Sequence, residues 1–153
     1  MNQAPPQTTR EFANNYPIYK PNSRGSGGVI RFELNAEKGA VFVEAATQCG
    51  ERQFDWDQKI TMKWGLSDIG TTLAVLQNRQ SQGKLFHKTE KANSSFDITL
   101  RDNPDRSPYL LVMSRQEEDA KKSLRKVIIP MTHAEAAILE TILKTAVNRI
   151  LAW

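Results

Sequence analysis

The chain has 153 residues, 39% hydrophobic and 25% charged, with a formal net charge of +4 and a pI near 9.3. That length suits one soluble domain with its own core, and no apolar run approaches the roughly 18 to 20 residues that cross a bilayer. The mild basicity favours a polyanionic partner without proving one, and a single cysteine, Cys49, excludes an internal disulfide and a thiolate-based zinc site.

The chain opens on a Pro-, Gln- and Asn-rich stretch. Residues 1–15 read as a flexible arm ahead of one domain over residues 16–153. The arm has no basic stretch followed by an apolar one, so secretion is not expected, and it lacks the Arg-rich character of a transit peptide. The expected location is cytoplasmic or nucleoid-associated, or organellar if a transit peptide has been removed.

Tyr16 to Lys20 is short and aromatic enough for an edge strand, and Pro21 to Gly28 reads as a loop. From Val29 the pattern has period two: Ile30, Phe32 and Leu34 point one way, Arg31 and Glu33 the other. After a turn over Asn35 to Gly39, Ala40 to Thr47 forms the next strand. A turn over Gln48 to Glu51 then leads into one long strand, Phe54 to Trp64. On it Trp56, Ile60, Met62 and Trp64 share a face, opposite Asp55, Asp57, Lys59, Thr61 and Lys63.

The period then changes. Ser67 is the expected N-cap of a helix carrying Ile69, Leu73 and Leu76 on one stripe and ending near Arg79. Gly70 is expected to let it approach the sheet closely. The second half repeats the order: a strand over Lys84 to Lys88, one through Phe96, Ile98 and Leu100, and a turn over Asp102 to Pro108. A strand over Tyr109 to Arg115 follows, then a charged connector from Gln116 to Ser123 and a strand from Leu124 to Pro130. Thr132-His-Ala-Glu135 is a capping box that opens the last helix. Ile138, Leu139, Ile142, Leu143, Ala146, Ile150 and Trp153 trace its apolar face. The fold class is therefore α+β, with antiparallel strands, a helix, antiparallel strands and a helix, and no alternating βαβ pattern.

Motifs of catalysis are missing. Gly25-Ser-Gly-Gly28 lacks the lysine and following helix of a phosphate loop. His133 reads as an exposed helix-start residue, while His87 could touch a phosphate, stack on a base or simply be exposed. Asp55 and Asp57 read as surface carboxylates rather than a metal or acid–base pair, so no enzyme, cofactor or metal is expected. The basic and aromatic residues say more. Lys59 and Lys63 share a strand face, Lys84, Lys88, Lys91 and Arg101 cluster around the second-half strands, and Tyr19, Trp56, Trp64, Phe86 and Phe96 are interleaved. Cations for phosphates beside rings for bases hold single strands without reading sequence. For Phe32, Phe96 and Trp64, core packing is the preferred reading.

Several segments, taken in order, resemble the Whirly family of single-stranded-DNA-binding proteins. They are Ile18-Tyr-Lys20, Gly39 to Gln48, Gly50-Glu-Arg-Gln-Phe-Asp-Trp56 with Lys59, Leu66-Ser-Asp-Ile-Gly70, Leu85-Phe-His87 and Ile128-Ile-Pro-Met-Thr-His-Ala-Glu135. The helix finishing Ile150-Leu-Ala-Trp153 completes the set. The resemblance implies two four-stranded antiparallel sheets, each followed by a helix, assembling as homotetramers through helices. Single-stranded DNA would run along the sheets and between protomers, and the same fold in guide-RNA-binding proteins keeps RNA open. One departure stands out: the family's Lys-Gly-Lys-Ala-Ala-Leu signature is replaced by Pro21-Asn-Ser-Arg-Gly-Ser after Lys20.

The expected function is single-stranded DNA binding with little sequence preference, in replication, repair or recombination. A transcription cofactor, an RNA-binding or annealing protein and a protein-interaction scaffold are the alternatives. The expected phosphate contacts are Lys59, Lys63, Lys84, Lys88 and Arg101, with Lys20 and Arg24 at the edge. Tyr19, Trp56 and Phe86 are the expected base-stacking residues, with His87 beside them.

Overall fold

The computed structural model describes residues 14–102 and 106–153. Most of the expected N-terminal arm, and the middle of the turn expected from Asp102 to Pro108, lie outside the described residues. The first sheet holds β1 (Asn15–Lys20), β2 (Gly28–Asn35), β3 (Ala40–Gly50), β4 (Gln53–Phe54) and β5 (Ile60–Trp64), followed by α1 (Leu66–Leu76). The second holds β6 (Gln82–Lys88), β7 (Ala92–Leu100), β8 (Tyr109–Glu117) and β9 (Leu124–Met131), followed by α2 (His133–Leu151). Every strand pairing is antiparallel, so the α+β architecture expected from periodicity is the one observed. β1 is an edge strand, as expected, and the second sheet runs in simple order from β6 to β9.

The first sheet corrects the expected long strand from Phe54 to Trp64. β3 continues to Gly50 instead of turning at Gln48, and β4 pairs with its end, Gln48 opposite Phe54. One turn of 3-10 helix, Trp56–Gln58, then interrupts the ladder, closed by Gln58 N–H donating to the Asp55 carbonyl and Lys59 N–H to that of Trp56. A continuous ladder would bring Asp57 opposite Ala45, but Ile60 stands there. The offset is odd, and an odd offset exchanges the two faces of a strand. Ile60, Met62 and Trp64 are therefore buried while Trp56 lies on the other side. Both β4 and β5 pair with β3, so this sheet has five strands rather than four.

The helix ends also differ from expectation in detail. Strand β5 runs to Trp64, so α1 must start at once. Gly65 is its N-cap, with Gly65 N–H donating to Asp68 Oδ2 at 3.1 Å, and Ser67 lies inside the first turn. The helix closes at Leu76, before Arg79, because Asn78 takes φ 60°. Asn78 N–H then donates to the Val75 carbonyl and Arg79 N–H to that of Ala74, the two-bond left-handed closure. Gly70 faces open space; the close approach is at Gly83 of β6, where a Cβ would lie 3.1 Å from Thr71 Cγ2.

The capping box of α2 forms as expected, with Glu135 N–H donating to Thr132 Oγ1 and Thr132 N–H to Glu135 Oε1. The apolar stripe of α2 is divided. Ala136, Leu139, Leu143 and Ala146 are buried, whereas Ile138 is 48% and Trp153 91% exposed. Strand β8 extends to Glu117, two residues into the expected connector.

The inner faces of both sheets and the helices share one core. Trp64 of the first sheet packs edge-on against Phe32 at 5.7 Å and Phe96 of the second sheet at 4.8 Å between ring centroids. Where β9 meets β2, the Gly28 backbone packs so tightly against β9 side chains that a Cβ on Gly28 would lie 2.7 Å from Val127 Cγ1.

The loop from Pro21 to Gly28 is tied down by one buried side chain, Gln48. Its Oε1 accepts from Asn22 N–H and Gly27 N–H, and its Nε2 donates to the Asn22 and Gly50 carbonyls, all at 2.9 to 3.1 Å. All four hydrogen-bonding positions of the amide are used. Leaving several buried backbone groups unpaired costs about 1 to 3 kcal/mol per group, partly recovered by water. Gln48→Ala should therefore lower stability by about 3 kcal/mol, read as a lower denaturant midpoint with an unchanged slope.

Candidate nucleic-acid interface

Because each sheet buries one parity of its strands, the other parity faces outward. On the second sheet the register sets four rows across β6, β7, β8 and β9. Two of them are Lys84–Asp97–Val112–Ile128 and Phe86–Ser95–Ser114–Lys126. A third carries Lys88, Asn93, Gln116 and Leu124. Phe86 is 65% exposed, Leu124 60% and Ile128 49%. Lys84, Lys88 and Lys126 are exposed beside them and form no ion pair among the described residues. Apolar surface raised from a sheet and ringed by uncommitted ammonium groups suits the bases and phosphates of a single strand.

The outward face of the first sheet is built differently. The interrupted strand folds back over it: Phe54 packs on Tyr19 at 5.7 Å, and the Arg31 guanidinium lies 4.4 Å over the Trp56 ring. On the same face Val29 and Ala46, a cross-strand pair, are buried although they belong to the outward parity. Beyond it two of the cations are engaged. Glu44 takes Arg31 at 2.6 Å and Lys59 at 2.8 Å, with Thr61 Oγ1 donating at 3.5 Å. Lys63 stands opposite Phe42 on the same face, exposed and without an ion pair among the described residues.

The sequence-expected residues thus fall into two groups. Tyr19, Trp56, Lys59 and Lys63 lie on the outward side of the first sheet, and Lys84, Phe86 and Lys88 on that of the second. Four stand apart. Lys20 points to α2, where it pairs with Glu135 at 2.8 Å. His87 lies on the inward parity of β6, with Nε2 3.0 Å from Asp68 Oδ2 at the start of α1. Arg101 follows β7 and donates to the Ser107 carbonyl across the turn, and Arg24 is exposed in the Gly27 loop. Sequence reading missed Arg31 and Glu44 as a pair, and Lys126 and Ile128 as part of the face. The last two were within reach, since Lys126 and Ile128 alternate with the buried Val127 and Ile129.

A second polar cluster joins the sheets at a solvent-accessible edge. Glu117 accepts from Arg115 at 2.9 Å and Arg125 at 3.1 Å, and Arg125 also donates to Gln58 in the 3-10 turn at 2.8 Å. Hydrogen bonding from Arg115, with the charges of Arg115 and Arg125, holds the Glu117 carboxyl below its ordinary value of 4.5 against some desolvation. Burial pushes Glu44 up, but hydrogen bonds and charges from Lys59 and Arg31 outweigh it and leave the group low. Glu135 is likewise raised by burial and lowered more by Lys20 and the Thr132 cap. Among the described residues no three His, Cys, Asp or Glu side chains could together hold a metal ion.

A family model described as "Whirly transcription factor" matches residues 23–142. The mitochondrial single-stranded DNA-binding protein WHY2 of Arabidopsis thaliana is 21% identical over 142 residues, which cover 90% of this chain and 57% of that protein. The chloroplastic single-stranded DNA-binding protein WHY1 of Solanum tuberosum is 25% identical, over 90% of this chain and 48% of that protein. The chain thus spans about half the length of these curated relatives. The crystal structure of WHY1 from Arabidopsis thaliana superposes with a TM-score of 0.74 at 19% identity, covering 91% of this chain and 85% of that one, a likeness of fold.

Glu44, Glu117 and Glu135 all have lowered folded-state pKa values. Groups of this kind stabilise the fold above their unfolded pKa, and the contribution disappears as pH falls through the folded value. Stability should be level from neutral pH to about 5 and fall below about 4.5. Glu135→Gln should make that acid-side fall shallower in denaturant titrations at successive pH values.

Proposed function

The chain belongs to the Whirly family, and from that membership and the two outward faces we propose that it binds single-stranded DNA with little sequence preference. The observation that carries this reading is the second sheet's face. There Phe86 and Ile128 stand exposed among Lys84, Lys88 and Lys126. Rings and aliphatic groups accept any base, and lysines meet phosphate as point charges, so such a surface grips a strand without reading its order. Lys63, Trp56 and Tyr19 offer the same residue types on the outward face of the first sheet. We infer a binding role, with no chemical step assigned to any residue.

Protection of exposed strands in replication, repair or recombination is the role that this kind of grip serves. The description of the family model as a transcription factor supports regulation of transcription as a second reading. The names of the mitochondrial and chloroplastic relatives support an organelle as the compartment. Assembly fits the divided stripe that α2 begins: Ile138 at 48% exposure and Trp153, just past the helix end, at 91% are apolar groups that a helix of another copy would cover. A homotetramer packed through helices is the proposed form.

The test is fluorescence anisotropy with oligo-dT, oligo-rU and duplex at several salt concentrations. Oligo-dT should bind more tightly than duplex, with affinity falling steeply as salt rises because bound phosphates release counterions. Phe86→Ala should cost about 1 to 3 kcal/mol of binding, the usual loss of one stacked base. Reversing the charge of Lys63 and Lys126 together should reduce binding further. Unmeasurable affinity for any oligonucleotide at low salt would favour a protein-interaction scaffold instead.

A further inference from the structure

The two outward faces differ in one respect that matters for binding. On the second sheet the lysines are uncommitted, whereas on the first sheet a carboxylate already sits between the cations. Glu44 is at the centre of that arrangement. Its Oε1 is 2.6 Å from an Arg31 Nη atom and 2.7 Å from Arg31 Nε, a two-point grip, while Oε2 is 2.8 Å from Lys59 Nζ and 3.5 Å from Thr61 Oγ1. A carboxylate with one oxygen held by a guanidinium and the other by an ammonium and a hydroxyl has the donor set that the two free oxygens of a phosphate diester would meet in the same place. Beneath the fork lies Trp56, the ring nearest to a base whose phosphate would dock there. Glu33, on the neighbouring strand and the same face, is exposed and clasps no cation among the described residues. The clamp therefore belongs to Glu44 and is no general feature of the face.

We propose that Glu44 is an internal competitor for nucleic-acid phosphate, occupying the Arg31–Lys59 cation pair in the free protein and so weakening single-strand binding on the first sheet. The inference rests on the binding reading above. A strand that engages this sheet must displace the carboxylate from at least one cation or share it. In the free protein the pair releases fewer counterions to an incoming strand, because Glu44 has already neutralised one of its two positive charges. The second sheet then makes the stronger contact, and the first sheet tightens only where binding can draw the cations away.

Oligo-dT binding measured by anisotropy over a salt series tests this in the full chain, with Glu44→Gln, Glu33→Gln, Lys59→Gln, Lys63→Gln and the Glu44→Gln/Lys59→Gln double variant. Glutamine preserves the shape of Glu44 and removes its charge. Glu44→Gln should bind about tenfold more tightly at low salt, the scale of one close surface charge interaction. Its slope of log affinity against log salt should steepen by about 0.7 for each additional phosphate met on a single strand. Glu33→Gln should tighten binding less than half as much. Lys59→Gln should cost several-fold more in the Glu44→Gln protein than in the unaltered one. In the otherwise unaltered protein, Lys63→Gln should cost more than Lys59→Gln, a comparison that leaves Glu44 in place. Equal tightening by Glu33→Gln and Glu44→Gln would overturn the proposal, as would weaker binding by Glu44→Gln, which would make the carboxylate a positioning group for its cations. If the unaltered protein binds no oligonucleotide at all, the binding reading itself fails and this inference fails with it.

Discussion

The packing of Trp64 between Phe32 and Phe96 is the contact on which the rest of the molecule depends. It joins the inner face of the first sheet to that of the second within one core. Once both inner faces are buried together, period-two geometry leaves no freedom in what the outer faces show. The helices add to the same core: α1 buries Ile69, Val75 and Leu76, and α2 buries Leu139 and Leu143. Two sheet faces are thereby left outward, and their composition becomes a statement about what they meet.

Those compositions are unequal. The second sheet spends its outward positions on Phe86, Ile128 and Leu124 with lysines between them, which is costly for a face meant only for water. The first sheet roofs part of its outward face with its own chain and offsets one of the Arg31 and Lys59 charges through Glu44. The interruption at Trp56–Gln58 is what allows this. It exchanges the faces of β5 relative to β4, so that Trp64 reaches the core while Trp56 stays outside beneath Arg31. A single odd offset thus serves both core and surface.

Much of this was legible in the sequence because burial imposes a period. The strand segments from Ile30 to Leu34 and from Ala92 to Leu100 alternate cleanly, and Thr132 with Glu135 announces α2 directly. The expected long strand failed because alternation through Trp56, Ile60, Met62 and Trp64 persists across the break: an odd offset is invisible when both segments alternate by themselves. Gln48 looked like a turn residue, since a buried amide saturated by a distant loop leaves no local trace. Arg31 with Glu44 required the cross-strand register, and local pattern does not contain it. His87 was expected beside Phe86, yet adjacent strand residues face opposite ways, and Asp68 holds it on the inner side. The family resemblance carried the function further than residue pattern alone, which stopped at a basic, aromatic-bearing sheet.

The central claim is that a single strand lies on the outward faces of the sheets. Photo-crosslinking of the full chain to oligo-dT, with the linked peptides identified by mass spectrometry, tests it most directly. The account predicts crosslinks at Phe86 and within Leu124 to Pro130, with weaker ones at Tyr19 and Trp56. Crosslinks confined to α1 and α2, with none on either sheet, would contradict it.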